Sequence, residues 1–511
     1  MMSQDAIKRG YNRGNYVVGA HTPPFFANEE SVAGSSSLQV DVVDVPANVI
    51  DELTALGVSV ATDEKTVING TRDWWARTMI AETSGNPATP QAAIVTVDTE
   101  EQVQQVVKIA DEHKIPVTVS AGRSNVVGGA LPLQGGIVLD VCNLNKITNY
   151  DASSQIVEVQ CGMFGDLFEA EIQEKYKVTT GHWPSSFAIS TVGGWVACRG
   201  AGQLSTRYGK IEDMVFGLDV VLPNGELITV GNGSRAAVGP DLLQLFIGSE
   251  GTLGVVTRVR LRVHRLPDYT KAVAYGFKTF ADGLEACREI MQRGATPAAL
   301  RLYDNLESGI QFGLEDQNVL LIADEGEPRL VDAGIAISEE VCSETGVALD
   351  GDVIFEKWLD TRYLTGKSSE GFERPKGFVA DTLEMTGPWA DLPAIYDEVV
   401  AAVNAVPGTL AGSAHQSHAY VDSGCLYFSI RGDIEFENRS EWYKAAWDAA
   451  NEVIIRHGAT LSHHHGVGLL RSRFMKDSFG GAFEVLRAVK KALDPDNLFN
   501  PGKLGLDPRT I

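Results

Sequence analysis

The chain has 511 residues, more than a single hydrophobic core usually serves, so two or more domains are expected. Hydrophobic residues make up 44% and charged residues 22%, which excludes a disordered or fibrous chain and fits a folded globular one. Acidic residues outnumber basic ones 67 to 43, a formal net charge of -24 that argues against nucleic acid or an anionic membrane face as a partner.

Residues 1–45 carry Pro, Gly and a Ser run without a strong period and read as an irregular N-terminal arm. A short amphipathic helix is predicted from Pro46 to Leu56, with the proline at its first position. Trp74 and Trp75 read as an aromatic pair in a core. AAIVTV (92–97) has the pattern of a buried strand. Thr99 and Gln102 then fit a capping box ahead of a helix whose apolar positions are Val103, Val106, Val107 and Ala110. A second strand, 116–120, runs into the glycine loop AGRSNVVGGA (121–130), and IVLDV (137–141) reads as another strand. QIVEVQ (155–160) is a predicted strand and 164–176 a predicted helix. LDVVLPNGELITV (218–230) is a predicted hairpin turning at Asn224-Gly225. VVTRVRLRVH (255–264) alternates, with Val259, Leu261 and Val263 facing a core. Arg258, Arg260 and Arg262 lie on the opposite face, read as solvated.

The character changes at Pro267. Predicted strands at 270–277, 298–304 and 318–324 alternate with helices at 281–294 and 330–345. A similar order recurs with a strand at 378–385, a helix at 392–406, a strand region at 418–433 and a helix at 437–457. The two halves read as one antiparallel sheet backed by helices, an α+β unit.

Residues 179–266 are rich in Gly, Ser and Thr, poor in charge, and set between strand patterns. That composition suits buried loops whose backbone N–H groups face a polar ligand. The strings TGHWPSS (180–186), STVGGWVACRGAGQ (190–203), RYGKIEDMV (207–215), GPDL (239–242) and GSEGTLGVVT (248–257) resemble the flavin domain of the vanillyl-alcohol-oxidase, or PCMH-type, superfamily. Within it they are most similar to alkylglycerone-phosphate synthase and bacterial FAD-linked oxidases. The resemblance implies an α+β fold with a two-part FAD-binding domain (46–266), a substrate-covering cap (267–456) and a C-terminal segment (457–511) that returns to the FAD domain. It implies FAD as cofactor, its diphosphate on Ser120, Ala121, Gly122, Arg123, Ser124 and Asn125. Further cofactor contacts are implied at Ser185, Ser186, Ser190, Thr191, Gly193 and Gly194, and at Glu250, Gly251, Gly254 and Val256. Arg123 stands where several branches carry a histidine joined covalently to the flavin, and no histidine occurs from 114 to 181, so non-covalent FAD is expected. Arg123 itself reads either as a phosphate partner or as a solvated surface arginine.

LSHHHGVG (461–468) is the sharpest single motif. On an extended segment His463 and His465 would point one way and His464 the other. Three readings stay open from the residues: a general base near neutral pKa, a metal site completed by His415 or His418, or a structural cluster. The motif is similar to the active-site signature of alkylglycerone-phosphate synthases. That similarity implies His463, His464 and His465 around the reacting centre, with His464 as proton carrier and no metal. It also implies site roles for Tyr427 and His182. Arg374, Lys376 and Arg362 are candidates to hold a substrate anion, none matching the family's arginine cleanly. Leu469 replaces the lysine that follows the family's histidines. The reaction expected is FAD-dependent oxidation of a hydroxy acid or small alcohol, by proton abstraction and hydride transfer to flavin N5. The alternative is the synthase's acyl-to-alkyl exchange through flavin N5, without net oxidation. A non-catalytic flavin-binding protein is a third class.

The six cysteines are scattered without paired spacing, which reads as reduced thiols. No run of 18 apolar residues appears, so no integral membrane segment is expected. The N-terminal residues lack an apolar signal core and the terminal Arg-Thr-Ile is not a peroxisomal address. A cytoplasmic protein acting on a small molecule is expected, with a homodimer as one assembly left open.

Overall fold

The computed structural model describes residues 40–83, 92–231, 233, 235–362 and 377–509. The first sheet holds β1 (Ser59–Ala61), β2 (Ala93–Thr96), β3 (Val117–Ser120) and β4 (Ile137–Asp140), in the order β1-β2-β4-β3. Strands β2 and β3 run parallel to β4, which is buried along its whole length. A strand covered on both faces needs a continuous apolar run, and Ile137-Val138-Leu139 supplies one. Helices Ala47–Ala55 and Glu100–His113 pack Val49, Leu53, Val103, Val106, Val107 and Ala110 into this core. The capping box forms as expected: Gln102 N–H donates to Thr99 Oγ1 at 3.2 Å, and Thr99 N–H to Gln102 Oε1 at 3.3 Å. Pro46 is the residue that caps the first helix, not its first helical residue. The end of the chain returns to this sheet, where Val117 exchanges backbone hydrogen bonds with Leu498 and Asn500.

The second sheet is antiparallel. It contains β5 (Ile147–Asp151) and β6 (Ile156–Gln160); β7 (Val178–Thr179) lies outside it. Then come β8 (Val215–Val221), β9 (Leu227–Gly231) and β10 (Val255–Arg262), giving the order β5-β6-β10-β8-β9. β7 pairs instead with β11 (His264–Arg265). The β8–β9 turn is wider than a two-residue loop. It closes through Leu222 N–H to Glu226 O at 2.8 Å, with Gly225 at φ 78°. The arginine face of β10 is half-buried and ion-paired. Arg260 grips Asp219 through two bonds of 3.0 and 3.2 Å and lies 2.8 Å from Glu158, while Arg258 reaches Glu100, Glu158 and Asp219.

The third sheet is antiparallel throughout. Its strands are β12 (Thr270–Phe277), β13 (Ala299–Tyr303), β14 (Asn318–Glu325), β15 (Val347–Leu349), β16 (Phe378–Pro388), β17 (Thr409–Ala419) and β18 (Ser423–Asp433). The order β15-β12-β14-β13-β17-β18-β16 sets the two halves side by side across the β13–β17 seam. The strand region expected at 418–433 takes in the end of β17 and all of β18, a hairpin turning at 420–422. Strand alternation divides the sheet's two faces. Leu300, Leu302, Leu320 and Ile322 meet helices Phe280–Gln292, Pro328–Cys342, Leu392–Asn404 and Arg439–Arg456. Ala299, Tyr303, Val319, Leu321 and Ala323 instead join the core of the second sheet and its helices. The approach on the helical side is close: a Cβ at Gly283 would lie 2.4 Å from Leu302 Cδ1, so Gly283→Ala would overpack by about 1–3 kcal/mol. The third sheet therefore roofs the glycine-rich loops, and the space between them is the cavity described next.

Candidate functional site

A cavity of about 630 Å³ lies between the roof and the loops. Its floor is the turn that leaves β3, from Ser120 through Ala121, Gly122, Arg123 and Ser124 to Asn125. Gly122 packs flush on the neighbouring loop: a Cβ there would stand 2.3 Å from Ile189 O. Arg123 is buried, not a surface residue. It takes φ 50° and reaches Asp140 at 3.5 Å and Ser120 at 3.4 Å, with its Nε unpartnered among the described residues. Ser185, Ser186, Ser190, Thr191, Gly193 and Gly194 line the next wall. Thr191 Oγ1 caps the helix Val192–Cys198 by accepting Gly194 N–H at 3.2 Å. His182 is fully buried against Trp195, and neither ring nitrogen has a partner among the described residues. Burial, helped by Lys210, pulls its pKa down to about 3, so the ring is neutral.

Glu250, Gly251, Gly254 and Val256 also line the cavity. The Glu250 carboxylate is turned to the histidine loop, accepting N–H from Val467 at 2.6 Å and Gly468 at 2.8 Å. A second buried carboxylate shapes the same loop. Glu384 of β16 accepts three consecutive N–H groups on Oε1, from His463 (3.1 Å), His464 (3.1 Å) and His465 (2.9 Å), and the Ser462 hydroxyl at 2.6 Å. Its Oε2 faces Arg471 and lies 2.9 Å from His465 Nδ1. Burial alone would push this carboxyl up, but Arg471 and His465 hold it well below the usual range.

Three amides converging on one oxygen curl the backbone, so the side chains do not alternate as on a strand. His464 and His465 face the cavity together, and His463 backs them. His463 Nδ1 lies 2.9 Å from His464 Nδ1, and its Nε2 lies 2.7 Å from Tyr420 Oη. The nitrogens of His418, His463 and His464 lie within 4.8 Å of one another, close enough for a shared cation. Both nitrogens of His463 and Nδ1 of His418 are engaged in hydrogen bonds, which a cation bound there would have to replace. His415 sits elsewhere, with Nδ1 2.7 Å from Glu307. Burial above all drives the pKa of His463 and His464 well below 6.5, so both are neutral at pH 7.

The roof contributes Tyr427 of β18, stacked between His415 (centroids 4.8 Å) and His464 (5.8 Å), its hydroxyl donating to Thr382 at 3.0 Å. Arg362 lies over Trp358 at 4.8 Å, with Arg301 at 6.0 Å from the same ring. All of these line the cavity; Arg374 and Lys376 lie outside the described residues. Leu469 packs on the roof's helical core and its N–H donates to Val127 O, so it is not a cavity residue. Glu384, Arg471, Glu307, Arg301 and Trp358 escaped the sequence reading. The one signal for Glu384 was a carboxylate inside an otherwise strand-like run.

The arrangement suits an extended, acceptor-rich cofactor. His182 and the Arg123 Nε are buried polar atoms with no partner among the described residues, and the walls combine apolar surface with backbone N–H groups and small hydroxyls. Comparisons with known proteins agree. Residues 90–231 match the FAD binding domain family, and residues 266–504 match the C-terminal domain of FAD linked oxidases. The uncharacterized FAD-linked oxidoreductase YgcU of Escherichia coli O157:H7 is 32% identical over 432 residues, covering 81% of this chain and 88% of that protein. Alkyldihydroxyacetonephosphate synthase of Dictyostelium discoideum is 27% identical over 525 residues (95% and 85%). Glycolate oxidase subunit GlcD of Bacillus subtilis (strain 168) is 27% identical over 427 residues (81% and 89%). Among solved structures, an alkyldihydroxyacetonephosphate synthase superposes with TM-score 0.74 at 23% identity, covering 99% of this chain and 92% of that one. A p-cresol methylhydroxylase with substrate bound gives 0.73 at 19% (93% and 99%). These two share the fold. The chain belongs to the FAD-linked oxidoreductases, with a PCMH-type FAD-binding domain, an FAD-linked oxidase C-terminal domain, and FAD as its cofactor.

Proposed function

We propose that the protein oxidises a hydroxy acid or another small alcohol. The observation that carries this reading is one cavity holding a neutral imidazole (His464), a phenol stacked on it (Tyr427) and a guanidinium (Arg362). FAD, held non-covalently, supplies the hydride acceptor at N5. Arg362, stiffened by Trp358, binds the substrate carboxylate, and Arg301 on the same indole adds positive charge. His464 accepts the hydroxyl proton, with its backbone held by Glu384. Tyr427 hydrogen-bonds the substrate oxygen as its charge develops. His182, neutral and buried, offers one N–H to the cofactor. Arg374 and Lys376 remain further candidates for the anion. The named activity of the Bacillus subtilis relative, a glycolate oxidase subunit, supports this class.

Anaerobic mixing with a panel of 2-hydroxy acids and alcohols should bleach the flavin absorbance with at least one of them. His464→Ala should keep the flavin and lose that bleaching; a variant that keeps full turnover would sink the assignment. Acyl-to-alkyl exchange is the second reading, supported by the likeness to alkyldihydroxyacetonephosphate synthases; Leu469 in place of the family's lysine weighs against its phosphorylated substrate. Release of fatty acid from an acylated dihydroxyacetone phosphate, without bleaching, would establish that reading. Response to neither would leave a flavin-binding protein without turnover.

A further inference from the structure

The face of the third sheet that roofs the cavity carries one transverse row of rings. Tyr303 of β13 pairs with His415 of β17, and His415 with Tyr427 of β18, so three residues from neighbouring strands project from the same face. All three line the cavity. Their rings stack in turn, Tyr303 on His415 at 5.2 Å and His415 on Tyr427 at 4.8 Å, each pair 25° from parallel. Tyr427 stacks onward on His464 at 5.8 Å. At the other end Arg301 Nε donates to Tyr303 Oη at 2.9 Å, and the Arg301 guanidinium shares the Trp358 indole with Arg362. The row crosses two strand spacings, about 9.5 Å, and His415 is at its centre.

One side of the His415 ring is fixed. Its Nδ1 lies 2.7 Å from Glu307 Oε2, and the other Glu307 oxygen accepts the hydroxyls of Ser413 at 2.9 Å and Ser429 at 2.7 Å. Burial raises this carboxyl, but His415, Ser429 and Ser413 hold it at about 2, so it is ionised and can only accept. Nδ1 of His415 therefore carries a proton. Nε2 has no hydrogen-bond partner among the described residues, and the half-buried ring borders the cavity. In the neutral ring Nε2 accepts; in the protonated ring it donates. A hydroxyl group answers both, since it donates one proton and accepts through its oxygen. An ammonium would instead share the cavity with the Arg301 and Arg362 guanidiniums.

We propose that His415, with Glu307 as its positioning residue, is a specificity-determining residue that hydrogen-bonds a second hydroxyl of the substrate, between its anionic end and the carbon oxidised. This rests on the oxidation reading for the two ends: the anion at Arg301 and Arg362, the reacting hydroxyl at His464. A chain joining those ends runs past the row formed by Tyr303, His415 and Tyr427. Bare methylenes there leave Nε2 unanswered, whereas hydroxyls along the chain answer it. The substrate class is thus a polyhydroxylated acid, with its anionic group at one end and the alcohol to be oxidised at the other.

The test uses the FAD-loaded full chain and matched pairs of acids: 4-hydroxybutanoate against threonate, and 6-hydroxyhexanoate against gluconate. The members of a pair share the carboxylate, the chain length and the terminal alcohol, and differ only in the hydroxyls between. Dissociation constants are measured by calorimetry in the absence of oxygen. At least one polyhydroxylated member should bind about tenfold more tightly than its partner, the worth of one hydrogen bond. His415→Asn keeps an amide donor where Nδ1 stood and removes the cavity-facing nitrogen. It should bring that ratio to within about twofold of one, with the flavin absorbance unchanged. Glu307→Gln, which no longer dictates the nitrogen that carries the proton, should lower the ratio too, an effect that packing alone would not produce. If a compound bleaches the flavin, its added hydroxyls should lower KM more than they alter kcat. Wild-type ratios within about twofold of one in both pairs, or binding of none of the four acids, would overturn the subsite. A preference undiminished by His415→Asn would overturn it as well. Bleaching by a plain 2-hydroxy acid alongside either result would leave the oxidation reading standing. A preference that His415→Asn abolishes, with no compound bleaching the flavin, would establish the subsite and count against the oxidation reading alone.

Discussion

Replacing Glu384 by Gln tests the most consequential residue of the site. Its carboxylate is fully buried, as is Arg471, and it gathers the His463, His464 and His465 amides on one oxygen. An amide keeps one acceptor but turns its N–H donors toward Arg471, which can only donate. The guanidinium is left as a buried charge without its counter-ion. Breaking a buried pair by removing one partner costs about 3–5 kcal/mol. If that loss falls on the loop, protection of its amides drops by about two to three and a half decades, at about 1.4 kcal/mol per decade. Hydrogen exchange of the FAD-loaded protein reads this directly in peptides spanning residues 461–470, with β14 as the unaffected control. The linkage has a definite sign: Glu384 titrates below its unfolded value. Its contribution is therefore complete above the unfolded carboxylate pKa and is lost as pH falls through the depressed folded one. Exchange in 461–470 within about threefold of wild type would refute the claim that this carboxylate shapes the loop.

Tyr427→Phe removes the phenol but keeps its stacking between His415 and His464. Flavin reduction in stopped flow should slow about 10²- to 10⁴-fold with FAD affinity unchanged. Arg362→Met should raise KM for an anionic substrate by about tenfold or more while altering that for a neutral alcohol little. For Glu307, burial pushes the carboxyl up, and His415, Ser429 and Ser413 more than reverse this, holding it at about 2. The stability difference between wild type and Glu307→Gln should be full above about pH 4.5 and close as pH falls toward about 2, measured by denaturation at each pH.

Local rules reached the framework of this fold well. The capping box at Thr99 and the alternation of Val259, Leu261 and Val263 are properties of neighbouring residues, and they appear as read. What escaped depends on partners distant in the chain. Arg258 and Arg260 look solvated by alternation, and only the apposition of β6 and β8 supplies Glu158 and Asp219. Arg123 reads from sequence as either a phosphate partner or a surface residue, because Asp140, its partner, belongs to a different strand. The histidine loop was misjudged for the same reason. An extended backbone was the reasonable local default, but Glu384, 79 residues before His463, draws three amides to a point. Glu384 itself was hard to see, since a carboxylate in a strand reads as solvent-facing until a buried Arg471 is found against it.

The charge of the chain and the charge of its cavity run opposite ways, and this bears on what can react there. A surface carrying most of a net -24 repels extended anions, whereas the cavity presents the guanidiniums of Arg123, Arg301 and Arg362. Glu307 is the acidic group facing them from the roof; His415 lies 2.7 Å from one of its oxygens, and Ser413 and Ser429 donate to the other at 2.9 and 2.7 Å, which keeps it ionised and tied down. Arg123 is matched with Asp140 at the cofactor end. Arg301 and Arg362 flank Trp358 on the cavity wall, and in the proposed reaction they would receive an anionic group of the substrate. A small substrate with an anionic group at one end and a hydroxyl at the other would engage both these guanidiniums and His464, which is the argument for proposing a hydroxy acid ahead of a neutral alcohol.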